Sequence, residues 1–118
     1  DENMRLALGA RRELEALAGQ DSSDRTKWFV IMGTPPLREV FQKALGLPDA
    51  FAAIDLDRQL EMLRAASQRV LGTSEVSEFG NAEIQETLIR NFLVRAQAEL
   101  APGMLVPGRT ALTLLAGI

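Results

Sequence analysis

Apolar and polar positions alternate at the helical period along most of the chain, and no segment shows the two-residue alternation of a half-buried strand. The clearest stretch is Thr34–Pro48, TPPLREVFQKALGLP. Leu37, Val40, Phe41, Ala44 and Leu45 fall on one face of a helix, and Glu39 and Lys43 pair four residues apart on the other. Thr34 is the expected N-cap, with Pro35 in the first turn, where a missing N–H is tolerated. Gly46 supplies a left-handed stop, Leu47 a hydrophobic clasp, and Pro48 forbids continuation.

The same pattern predicts a first helix over Glu2–Ala18. Its inner face is Met4, Ala7, Leu8, Leu14, Leu17 and Ala18, and Gly19 is its stop. The segment Asp24–Met32 carries the run Trp28, Phe29, Val30, Ile31, which is too short for its period to separate helix from strand. Asp24 as a cap and the helical neighbours favour helix. After Pro48, Asp49 opens a single turn holding Phe51 and Ile54. Asp55 then caps a helix to about Leu71, with Leu56, Leu60, Leu63, Ala66, Val70 and Leu71 inside and Arg58, Glu61, Arg64 and Gln68 outside. Gly72 ends it, and Ser74 caps a short turn containing Val76 and Phe79 that Gly80 closes.

Asn81 begins the last long helix, which runs to about Leu100 with Ile84, Leu88, Ile89, Phe92, Leu93 and Ala96 as a broad apolar stripe. Pro102-Gly103 breaks it. The tail from Met104 to Ile118 is apolar around a Pro107-Gly108 turn, with Arg109 its one charge. The prediction is an all-α fold: one helical domain over residues 1–118, with four longer helices and several short helical turns.

Composition narrows the chemistry more than it defines it. Of 118 residues, 47% are hydrophobic, which suits a real core and not a disordered segment. The net charge is −3 with acids and bases interspersed, so the electrostatic footprint of nucleic-acid binding is missing. Arg11-Arg12 is followed at once by Glu13 and Glu15 and reads as a solvated helix face. The absence of Cys excludes disulfide and thiolate chemistry. The absence of His removes the commonest acid–base residue near neutral pH and the commonest transition-metal ligand. No apolar run is long enough to span a bilayer, and no charged-then-apolar opening suggests a secretory signal. The chain opens on Asp1-Glu2 and not on Met, so it is expected to be a piece of a longer protein.

Each candidate for chemistry has a plainer structural reading. Asp55 and Asp57 could form a carboxylate pair for hydrolysis, but acids at a helix start are also caps and dipole partners. Gly72-Thr73-Ser74 and Gly33-Thr34 look like fragments of phosphate loops without the lysine-bearing pattern, and helix stops and caps explain both. No catalytic, cofactor-binding or metal-binding residue is therefore assigned. Candidates for contact remain: Trp28 and Phe29 as aromatic anchors or core, and Arg58 and Gln59 as a partner-facing or helix-bridging pair. Leu112 and Leu115 belong to a tail that either packs on this domain or docks on another chain. A pocket lined by Trp28, Phe29, Phe41 and Phe92 would instead make the domain a small-molecule or peptide-binding regulatory module.

Five short segments carry a family resemblance: Lys27-Trp28-Phe29, Pro36-Leu37-Arg38 with Val40-Phe41, Ala44-Leu45-Gly46-Leu47-Pro48, Leu56-Asp57-Arg58-Gln59, and Arg90-Asn91-Phe92-Leu93. Over about Arg5–Gln97 the chain resembles the C-terminal part of the bacterial domain of unknown function 1217 family. The resemblance implies an all-helical fold, members often larger than this chain and sometimes carrying repeated copies, and an N-terminal portion preceding the present one. It implies occurrence mainly in alphaproteobacteria, with genes that tend to sit among flagellar genes. It attaches no activity, cofactor or catalytic residue. The expectation is a non-enzymatic domain without a cofactor, acting in flagellar assembly or structure through a protein partner. Its location is then cytoplasmic or flagellum-associated.

Overall fold

The computed structural model describes residues 1–100. The order is α1 (Glu2–Ala18), α2 (Asp24–Gly33), α3 (Pro35–Ala44), a 3-10 turn (Asp49–Ala53), α4 (Leu56–Leu71), a second 3-10 turn (Val76–Gly80) and α5 (Ala82–Leu100). The fold is all-α, and the segment left open between helix and strand is helical. Five α-helices and two 3-10 turns make up the described chain.

Short polar side chains start four of these helices. Asp1 accepts from the Met4 N–H at 2.8 Å, Ser23 from Thr26 at 3.1 Å and Asp55 from Arg58 at 3.0 Å. Asn81 accepts from Glu83 at 2.8 Å and from Ile84 at 3.2 Å. Each satisfies an N–H that the helix itself leaves unpaired. Helix α3 closes as its sequence predicts. The Leu47 N–H reaches the Gln42 carbonyl at 2.9 Å and the Gly46 N–H reaches Lys43 at 3.1 Å, a Schellman arrangement with Gly46 at φ +74°. The Arg95 guanidinium lies 3.2–3.3 Å from where a Cβ would stand, a contact that this exposed side chain can relieve, so the positive φ is what calls for glycine.

Three expected caps act differently. Thr34 makes no side-chain cap to α3; its hydroxyl donates to the Val30 carbonyl at 2.7 Å and fastens the end of α2. Asp24 is not the cap of α2, since Ser23 is. Its Oδ1 accepts from the Val76 N–H at 2.8 Å and its Oδ2 pairs with Arg64 at 3.0 Å. Ser74 does not cap the second 3-10 turn; its carbonyl accepts from the Trp28 indole instead. For Asp24 tertiary partners outcompete the local one, and for Thr34 the preceding helix does.

The core centres on three rings. Trp28 meets Phe41 edge-on at 5.8 Å and Phe79 at 5.6 Å, and Phe41 and Phe79 are 5.6 Å apart. These contacts join α2, α3 and the second 3-10 turn. The inner faces of α3 and α5 are buried as the spacing predicts, through Leu37, Val40, Phe41, Leu88, Phe92 and Ala96. Helix α1 is rotated from expectation: Ala7, Ala10, Leu14 and Leu17 are buried, whereas Met4 and Leu8 stand in solvent. Leu56 is also outside, at 57% exposure, because it opens α4 one turn ahead of the buried Leu60 and Leu63.

Helices α1 and α5 run antiparallel. Gly80, just before α5, lies against Ala18 at the end of α1, and Arg11 of α1 bonds Gln85 of α5 at 3.2 Å. Moving back toward Met4 therefore follows α5 toward its C-terminal half.

Candidate interaction surface

The buried polar groups serve the fold. Lys27, buried, donates its Nζ to the Ala18 carbonyl at 3.0 Å, a cation on the C-terminal end of α1. Gln85, 1% exposed, donates to the Phe79 carbonyl at 2.9 Å and accepts from Arg11, joining α5, the second 3-10 turn and α1. Both were missed in the sequence, and only their positions among apolar neighbours hinted at burial.

Trp28 is not a surface anchor. It is fully buried, with its Nε1 donating to the Ser74 carbonyl at 3.0 Å. Gln59 is not on the surface either; it is buried, and its amide donates to the Ile54 carbonyl at 2.7 Å and the Ala52 carbonyl at 3.4 Å, fixing the 3-10 turn to the start of α4. The four rings suggested as a pocket lining include Trp28, Phe41 and Phe92, all with no exposed surface, so they fill the core. Leu112 and Leu115 lie outside the described residues.

Phe29 and Arg58 remain at the surface, on two helices that an exposed ion pair bridges. Phe29 is half-buried beneath Arg25, whose guanidinium carbon sits 5.0 Å from the ring centroid. The same Arg25 reaches Asp57 at 3.2 Å, bridging α2 to the first turn of α4, where Arg58 is exposed. Ile54 and Leu56, 37% and 57% exposed, flank that turn. The result is a corner with apolar side chains outside and charges fixed around them. Asp55 and Asp57, the candidate carboxylate pair, are here a helix cap and the Arg25 partner. Thr73 likewise turns inward, its hydroxyl accepting from the Glu75 N–H at 3.1 Å.

A second surface lies between α1 and α5. Arg11, Glu86, Ile89, Arg90, Leu93 and Val94 line a shallow depression there. Met4, Leu8 and Val94 are 46%, 50% and 53% exposed. In sequence, Met4 and Leu8 looked like core because they repeat at four residues, but so does the neighbouring stripe that is buried. Away from both surfaces, Lys43 joins α3 to α5 by donating to Glu99 at 2.9 Å, with Glu39 at 3.4 Å. The hydrogen bond to Glu99 raises the Lys43 pKa above its ordinary value; burial opposes the rise, and the charges of Glu99 and Glu39 add to it.

Among the described residues no three His, Cys, Asp or Glu side chains converge, and no helix is long and apolar enough to cross a membrane. A family model described as a protein of unknown function, DUF1217, matches residues 1–84. The match takes in α1 to α4 and ends at the start of α5, so Arg90-Asn91-Phe92-Leu93 lies beyond it. No curated protein and no solved structure matches the chain.

Proposed function

The chain belongs to the DUF1217 family, and from that premise we propose that it is a non-enzymatic helical domain of a flagellum-associated bacterial protein, acting in assembly or structure through protein contacts. The α2–α4 corner carries the contact part of this reading. Leu56 and Ile54 stand in solvent where the helix needs no apolar residue, beside the Asp55 cap that fixes the start of α4 and the exposed Arg25–Asp57 pair that spans to α2. The non-enzymatic part is supported by a chain without His or Cys, whose two nearest carboxylates are already engaged. The flagellar part rests on the family resemblance, and the expected partner is a protein, not a nucleic acid.

The test is deletion of the parent gene, with swimming and flagellum counts by electron microscopy. Complementation uses the natural chain and an Ile54→Asp, Leu56→Asp variant. An acid at Leu56 suits the first turn of α4, so the variant keeps its helix. Lost or malformed flagella restored by the natural gene but not by the variant support the reading. Normal flagella and swimming in the deleted strain overturn it.

A further inference from the structure

The α1–α5 face has more apolar surface than the described fold covers. Met4 and Leu8 on α1 and Val94 on α5 are about half exposed, and Ile89 and Leu93 are only partly buried. Met4 and Leu8 share the side of α1 that carries Arg11, Arg11 lines one depression with Ile89, Leu93 and Val94, and the antiparallel helices continue that strip to within about 9 Å of the C-terminus of α5. The chain continues from that end: residues 101–118 follow Leu100, opening with the helix-breaking Pro102-Gly103 and carrying Arg109 as their one charge.

We propose that the segment Met104–Ile118 of this same chain docks on the α1–α5 face, with Leu112 and Leu115 as its anchors against Leu8, Ile89 and Leu93. Three observations favour this occupant over another chain. The strip begins where α5 delivers the segment, so binding is intramolecular and the effective concentration reaches about the millimolar range. The length is sufficient: Leu100 back to Glu86 spans about 21 Å of helix, and fifteen residues cover about 22 Å even when helical. The hydrophobicity also matches, because an apolar segment meets an apolar strip, whose polar margin carries Arg11 and Arg90 as well as Glu86. The inference does not depend on the flagellar reading, since it concerns a different surface.

The natural chain has no Cys, so paired cysteines report proximity without background. Leu8→Cys would be combined in turn with Leu112→Cys and with Leu115→Cys in the full chain. Leu56→Cys, on the α2–α4 corner, would be paired with the same tail positions as the control. Under mild oxidation, at least one Leu8 pair should close within one molecule about tenfold faster than its control, at a rate independent of protein concentration. Equal rates at Leu8 and Leu56 would overturn the proposal. So would a concentration-dependent dimer, which would assign the strip to a second copy. A second readout spares the anchors: alkylation of Leu8→Cys alone should speed up about fivefold or more when Leu112→Asp and Leu115→Asp are added. An unchanged alkylation rate would equally overturn it.

Discussion

The seam between α2 and the second 3-10 turn and the face between α1 and α5 use similar residue types to opposite ends. At the seam, every ring edge and polar group on Trp28 has a partner: Phe41 and Phe79 at its edges, and the Ser74 carbonyl on its indole N–H. Asp24 divides its two oxygens between Val76 and Arg64. At the α1–α5 face, Met4, Leu8 and Val94 have no comparable enclosure, while Arg11 and Gln85 beneath them are satisfied. The difference teaches that the fold is closed by the short 73–81 stretch, which α1, α2 and α5 all grip. The long helices alone leave apolar surface over.

The most severe way to break the contrast is Trp28→Ala. It removes a fully buried indole and strands a carbonyl, and should cost about 3–5 kcal/mol by urea unfolding followed by circular dichroism. Trp28→Phe keeps ring packing and loses chiefly the hydrogen bond, so its cost should be clearly smaller; an equal cost would mean that the seam depends on the indole N–H alone. Next comes Asp24→Ala, which leaves the Val76 N–H and the Arg64 guanidinium unpaired at a part-buried site. It should destabilise by about 1–3 kcal/mol, with Asp24→Asn recovering part of that through the Val76 bond. The opposite pole is Leu8→Ser. Leu8 is half exposed on the described helices, so in a Leu112→Asp, Leu115→Asp background, which removes the anchors of the docked segment, the substitution should cost less than about 1 kcal/mol, and a loss there as large as that of Asp24→Ala would mean that the helices by themselves seal the α1–α5 face like the seam.

Much of this contrast was legible in the sequence, and the missing part has a physical pattern. Helix α3 was readable because every signal on it is local: Pro35, the apolar stripe and the Gly46-Leu47 stop act within their own turn or the next. Asp55 was readable as a cap and Asn81 as the start of α5 for the same reason. Asp24 and Thr34 misled because each side chain has a partner that tertiary packing or the preceding helix supplies: Val76 and Arg64, and Val30. Ser74 takes part through its main-chain carbonyl, which accepts from Trp28 and which a side-chain reading does not anticipate. Trp28 and Gln59 were surface candidates by type, yet hydrogen-bond demand is met as well inside as outside when a free carbonyl lies in reach. Phe29 and Arg58 stayed outside, but the Arg25–Asp57 bridge that connects their helices spans 32 residues and has no sequence signature.

The smallest effect tests a contact that belongs to neither pole. Lys43 and Glu99 join α3 to the last turn of α5 at the surface, with the Glu99 side chain 60% exposed. The hydrogen bond to Glu99 is the largest cause of the raised Lys43 pKa, so the folded chain holds that proton more tightly than the unfolded chain does. Stability from this pair is therefore fully present below the unfolded value of 10.5 and is lost as pH rises through the higher folded value. Solvent screening around Glu99 limits the amount to about 0.5 kcal/mol. Urea midpoints for the natural chain and Lys43→Met should differ by a constant amount from pH 7 to 9 and converge above about pH 10.5, because only the natural chain has this proton to lose. Convergence on the acid side instead would mean that the carboxylates, not Lys43, control the contact. A difference that persists unchanged to the highest pH would mean that the proton on Lys43 does not control the contact between α3 and α5.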